Sequence, residues 1–264
     1  MTIFWCEDSL YGILTGVYDA WDSRLGHENV RLKTDAQDTL ELFCAYRQVH
    51  TDEEKAEKVL RTVRKRMGES AWEAICYAAA SEQGEKADSI YRIIVLGLSL
   101  PNGKEVVNCL QNKDVLQVMR LRQRVWHEAH RMLGFLRFEE LGNGVLYARF
   151  QSPCAVLPFL APHFADRYRQ EDWIIHDLDR GLLAIHRRNH AWFLTDAAAL
   201  NLDYVQQYSG QEEDFQKLWK SFCESIAIAE RKNPGCQQNL LPLRFRPHMT
   251  EFQAEKVFDM SGNS

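Results

Sequence analysis

Two alternating apolar runs around a glycine-rich turn constrain this chain more than any other stretch. Leu136-Arg137-Phe138-Glu139 and Leu146-Tyr147-Ala148-Arg149-Phe150 flank Gly142-Asn143-Gly144. Successive side chains of a strand point to opposite faces, so a one-residue slip turns every side chain over. A two-residue loop at Asn143-Gly144 would pair Glu139 with Ala148 and put charge among apolar groups. A three-residue loop, Gly142-Asn143-Gly144, instead aligns Leu136 and Phe138 with Leu146, Ala148 and Phe150. Arg137, Glu139, Tyr147 and Arg149 then share the other face. The pattern predicts a hairpin with the three-residue loop and Gly144 in the left-handed conformation.

The hairpin sits within residues 112–194, where most of the sharp hydrophobic alternation lies. Ahead of it, Lys113–Leu133 reads as a helix. At about 100° per residue, Val118, Leu121, Val125, Ala129 and Met132 gather on one side. Arg120, Arg124, His127 and Arg131 gather within about 60° on the opposite side. Behind the hairpin, Ser152-Pro153 opens a helix, since proline suits a first turn. Pro158 and Pro162 are expected to divide it into two short helices, the second running through Arg169. Trp173–Leu178, Leu182–His186 and Ala191–Leu194 follow as the strands of a meander, with Asp179-Arg180-Gly181 as a turn. Gln211–Arg231 reads as a helix with Phe215, Leu218, Trp219, Phe222 and Ile226 inward, stopped by Asn233-Pro234-Gly235. The proline-punctuated strap Leu241–Phe252 is expected to be extended, with Arg244 and Arg246 projecting to the same side.

The first hundred residues read as mainly helical. Ile3–Cys6 is a short strand, and Asp8 or Ser9 caps a helix through Trp21. Thr51 with Glu54 forms a capping box for a helix to about Met67. Ser70–Ser81 and Ala87–Leu98 are further helices, and Pro101-Asn102-Gly103 is a turn. The fold expected is α+β: a mixed or antiparallel sheet with a central hairpin and meander, covered by helices, behind a mainly helical N-terminal region. The boundaries expected are 1–84 for that region, 85–254 for the α+β domain and 255–264 for a tail.

A net charge of −5 over 264 residues excludes a uniformly basic nucleic-acid coat. The distribution is uneven, however. Residues 111–190 hold 12 Lys/Arg against 9 Asp/Glu, a surplus of three inside an acidic chain, which fits a localised anion-binding face. The seven cysteines are scattered and never form a Cys-x-x-Cys pair, which reads as reduced thiols in a cytoplasmic protein without a metal knuckle or iron–sulfur cluster. Glu7 and Asp8 stand where a signal peptide needs basic and then apolar residues. The longest apolar run, Ile93–Leu100, is too short to span a bilayer.

Recognisable nucleotide chemistry is missing. Gly103-Lys104 is followed by Glu105 and lacks the upstream glycine of a phosphate-binding loop. No dinucleotide fingerprint and no Gly-x-Ser-x-Gly elbow occurs. His127-Glu128-Ala129-His130 does not have the zinc-protease spacing, which sets the two histidines four apart. No cofactor and no metal is expected.

Several stretches carry a family resemblance. Cys6-Glu7-Asp8-Ser9-Leu10-Tyr11-Gly12-Ile13-Leu14-Thr15-Gly16-Val17-Tyr18-Asp19-Ala20-Trp21 resembles the N-terminus of an uncharacterised bacterial family of DNA repair or DNA metabolism proteins. Leu133-Gly134-Phe135-Leu136-Arg137-Phe138, Ala161-Pro162-His163-Phe164-Ala165-Asp166-Arg167-Tyr168, Trp173-Ile174-Ile175-His176-Asp177 and the strap ending at Phe252 extend the match. The later two-thirds is similar to the domain of unknown function that defines the family. The resemblance implies partnership with a radical SAM (S-adenosylmethionine) protein of DNA modification or repair. Some relatives carry a uracil-DNA glycosylase-like domain behind this region, and the resemblance does not carry that activity over to residues 1–264.

Two sets of candidates follow. His163, Arg167, His176, Asp177 and Arg180 are the polar residues of the dense stretches, and His163, His176 and Asp177 offer an imidazole and a carboxylate for proton transfer. Strand parity puts His176 and Asp177 on opposite faces, and a hydrogen-bonded core histidine is the commoner outcome. Asp179 beside them gives too few clustered carboxylates for a divalent cation. The second set is cationic: Arg120, Arg124 and Arg131, Arg187 and Arg188, and Arg244 and Arg246, as contacts to DNA of either strandedness. The function expected is that of a DNA-repair or DNA-metabolism accessory protein that binds nucleic acid and works with a radical SAM partner. The alternatives are a hydrolase or other enzyme acting on nucleic acid through His163, His176 and Asp177, and a protein adaptor without DNA affinity.

Overall fold

The computed structural model describes residues 1–34, 41–199, 210–225 and 241–252. The chain forms two compact units, residues 1–128 with 153–155, and residues 129–152 with 156–264.

In the first unit β1 (Thr2–Trp5) is the middle of three parallel strands, between β2 (Val30–Lys33) and β3 (Ala45–Gln48). Ser9 caps α1 (Leu10–Asp22) by accepting from the Gly12 N–H. A Cβ at Gly16 would lie 2.1 Å from Cys6 Sγ, so the bare glycine is what lets α1 approach the end of β1. Asp52, rather than Thr51, caps α2 (Glu53–Ala79) by accepting from the Lys55 N–H, while the Thr51 hydroxyl donates to Glu7 Oε2 at 2.6 Å. Gly68, at φ 78°, breaks α2 between the two helices expected there. α3 (Lys86–Ser99) and the first part of α4 (Lys113–Phe135) complete the unit. Ile13, Leu14, Val17, Leu32, Ile75, Ile90, Ile94 and Val118 are buried in its core. The region is helix-rich, but it also holds a sheet of which only the first strand is legible. β2 and β3 are four residues long, and β3 is largely exposed, so no apolar alternation marks it.

α4 carries the expected division of faces. Val118, Leu121, Val125, Ala129 and Met132 are buried, and Arg120, Arg124, His127 and Arg131 are exposed. In the second unit β4 (Phe138–Glu140) and β5 (Leu146–Phe150) pair with Phe138 opposite Ala148 and Glu140 opposite Leu146. That is the register of the three-residue loop. Gly144 sits at φ 80° and its N–H donates to the Leu141 carbonyl at 2.8 Å. β6 (Trp173–Asp177), β7 (Leu182–His186) and β8 (Phe193–Asp196) continue the sheet in the order β4-β5-β6-β7-β8, with only β5 and β6 parallel.

α5 (Leu157–Arg167) makes the crossover from β5 to β6 as one helix, not two. Pro158 lies in its first turn, and Pro162 removes only the bond its N–H would have made one turn back. Phe138 meets Phe164 and Tyr168 edge-on at 5.2 and 5.3 Å, so α5 covers the sheet face that bears Phe138, Ala148, Ile175 and Ala184.

Two expectations fail here. α6 (Gly210–Ser225) leaves Phe215 62% and Leu218 65% exposed instead of turning them inward. Polar anchors set its orientation: Glu212 Oε2 accepts from the Glu140 N–H, and Trp219 Nε1 donates to Glu251 Oε2. Phe222's side chain, Ile226 and Asn233-Pro234-Gly235 lie outside the described residues. The strap is not extended either, since Leu243–His248 form a 3-10 turn. At about three residues per turn, Arg244 and Arg246 leave it on different sides. Among the described residues, no helix is long and apolar enough to cross a membrane.

Candidate nucleic-acid interface

The sheet separates the three residues considered for proton transfer. His163 is exposed on α5. His176 is buried on the face opposite α5, where its Nδ1 meets the Tyr147 hydroxyl at 2.8 Å. Burial, helped by the Arg149 charge, holds its pKa below the usual histidine value. Asp177 points to the other face and is fully buried, with Arg180 Nη1 at 3.2 Å and the Asp179 N–H donating to its Oδ1. Burial raises its pKa against the pull of Arg180. These are features of a satisfied core, and no site assembles from His163, His176 and Asp177 together.

The arginines fare differently from one another. Arg124 is ion-paired with Glu82, which also accepts from Cys154 Sγ. Arg120 borders a cavity of about 730 Å³ where Arg31 and Lys113 alternate with Glu85, Asp88 and Asp114. Arg131 is exposed on the last turns of α4. Arg244 lies over the Phe245 ring and Arg246 over the Phe252 ring, each 4.8 Å from the centroid. Arg187 and Arg188 are exposed in the β7–β8 connection, and no carboxylate among the described residues engages either guanidinium.

That connection is held at several points. The Arg188 N–H donates to Asp172 Oδ1 at 2.7 Å, and the His190 N–H donates to the Arg187 carbonyl at 2.8 Å. Asn189 takes the left-handed conformation, φ 59°, which asparagine tolerates better than most side chains, and its N–H donates to the Arg169 carbonyl at 3.0 Å. His190 Nδ1 donates to the Arg188 carbonyl at 2.7 Å. The loop is thereby tied both to the end of α5 and to the start of β6.

Between this loop and α5 lies a cavity of about 400 Å³, walled by Pro162, Ala165, Asp166 and Arg169 on one side and Asn189, His190, Ala191 and Trp192 on the other. His186 lines it from β7. Pairing places His186 opposite Trp173, and the two rings stack with centroids 5.0 Å apart and planes 9° apart. His186 Nδ1 donates to the Glu171 carbonyl at 2.9 Å. That bond fixes the proton on Nδ1 in the neutral ring and leaves Nε2 as an acceptor. The corner thus offers unengaged cations, an aromatic ring at Trp192, and acceptors at Asp166 and His186.

Of the residues at this corner, Arg187 and Arg188 were expected from the sequence, whereas Arg169, His186, Asn189, His190 and Trp192 were not. The signal available was Arg187-Arg188-Asn189-His190 between two strands, a turn-forming asparagine beside two cations. The approach of Arg169 to that turn is a tertiary matter that spacing does not encode.

The profile of DUF4130, a domain of unknown function, matches residues 84–251. No curated protein matches the chain. Among solved structures, a DHH domain described as a member of a family of ribosomal proteins is 14% identical, with a TM-score of 0.24. The alignment covers 69% of this chain and 54% of that one, so this chain spans about half its length. At that score the likeness carries no structural argument.

Proposed function

The chain belongs to the DUF4130 family, whose description assigns no activity, and we propose that it is a nucleic-acid-binding accessory protein of DNA repair or DNA metabolism. The β7–β8 corner supports this reading. Arg187 and Arg188 lie on a loop whose Asn189 N–H is bonded to the Arg169 carbonyl, and both are exposed and held by no carboxylate among the described residues. Exposed guanidiniums without an ion-pair partner, on a fixed backbone, are what phosphate oxygens need, because phosphate contacts supply most non-specific affinity. Partnership with a radical SAM protein is supported by the family resemblance, and co-purification of the two proteins tests it. For the corner itself, the double change Arg187→Ala/Arg188→Ala is expected to weaken binding of a labelled oligonucleotide of any sequence, read by fluorescence anisotropy. Unchanged binding would reject the assignment of this corner.

One observation favours the adaptor reading instead. Phe215 and Leu218 on α6 expose apolar surface of the kind that docks another protein. Capture of the radical SAM partner with no measurable oligonucleotide binding would decide for it.

A further inference from the structure

We propose that the 400 Å³ cavity beside Arg187 and Arg188 receives one unpaired nucleotide, so that the corner binds single strands in preference to duplex. This rests on the nucleic-acid reading above and adds the substrate class. The chemistry of the walls motivates it. Trp192 is half-buried in the lining, and no other ring among the described residues stacks on it, so its face is available to a flat partner. The same lining holds two acceptors that no donor among the described residues meets: the Asp166 carboxylate and His186 Nε2. Asn189 adds an amide that both donates and accepts.

An aliphatic ligand would leave those acceptors unsatisfied, and a bare phosphate would meet a carboxylate. A nucleobase answers both. Its π-face stacks on indole, and its ring or exocyclic N–H groups donate to Asp166 and His186, while its own phosphate reaches Arg169 and the flanking arginines outside. His186 is suited to this role because it is 2% exposed, backed by the Trp173 ring and locked into one tautomer by the Glu171 carbonyl. Paired bases keep their Watson–Crick edges and faces inside the duplex, so only an unpaired base can enter.

The test compares three labelled 12-mers at one salt concentration: a mixed-sequence single strand, the same backbone with every base removed, and the corresponding duplex. The single strand is expected to bind tightest. Trp192→Ala is expected to cost roughly 5- to 150-fold on it and to leave the abasic backbone unchanged. Trp192→Phe, which keeps an aromatic face, is expected to retain most of the affinity, and thermal unfolding of each variant reports whether the fold is intact. If the abasic strand binds as well as the normal one, or Trp192→Ala folds and changes nothing, the base pocket is overturned and phosphate binding stands. If none of the three binds, the nucleic-acid reading falls and the pocket with it.

Discussion

His176 shows how a residue that looks catalytic in sequence becomes structural in the fold. Its ring is buried, its Nδ1 is bonded to Tyr147, and its pKa lies below the usual value of 6.5. His248 is lowered too, again chiefly by burial and then by Arg149. A histidine depressed in the folded state stays neutral there while the unfolded chain takes up a proton near pH 6.5. Stability is therefore complete above that value and is lost as pH falls through it toward the folded pKa. Thermal midpoints across pH 5 to 8 are expected to fall on the acid side, and His176→Gln to reduce that slope. A slope unaffected by the substitution would remove His176 from the account. Strand parity in the sequence already separates His176 from Asp177. It does not supply Tyr147, because that contact depends on β5 and β6 pairing in parallel across the whole α5 crossover.

Among elements, the hairpin is the most legible and the strap and α6 the least. The hairpin register follows from a local pattern: alternation on both flanks permits one loop length that keeps charge off the apolar face, and Gly144 has the φ that loop requires. The consequence is measurable. A Cβ at Gly144 meets nothing within 4 Å, so Gly144→Ala tests backbone strain alone and should cost about 1 kcal/mol in denaturant unfolding. Gly142 is not at positive φ, and Gly142→Ala should stay within about 0.5 kcal/mol. Equal effects at the two sites would argue for a different loop. α6 and the strap depart from their local patterns for one physical reason. An apolar stripe or a pair of prolines says what an element prefers locally, but Glu212 on Glu140 and Glu251 with Arg137 and Trp219 are long-range bonds that fix the outcome.

Over the whole molecule, the α+β class, the meander and the division of faces on α4 can be read from the residues, while the parallel sheet of the first unit cannot. β2 and β3 are short, and their pairing with β1 joins segments separated by tens of residues. The candidate corner is legible by halves: two adjacent arginines are visible in sequence, and the cavity that Arg169, His186 and Trp192 line with Asn189, His190 and Ala191 is not. Because the chain carries a net charge of −5, general adhesion to a polyanion is disfavoured, and any affinity must come from such a local cluster. In the proposed mode of binding, Arg187 and Arg188 contact phosphates. The slope of log K against log salt concentration for a single-stranded oligonucleotide tests it most directly. Each lost phosphate contact should flatten the slope by about 0.7 for a single strand, so the Arg187→Ala/Arg188→Ala protein should show a slope shallower by roughly 1.4. Parallel slopes for the two proteins would contradict it.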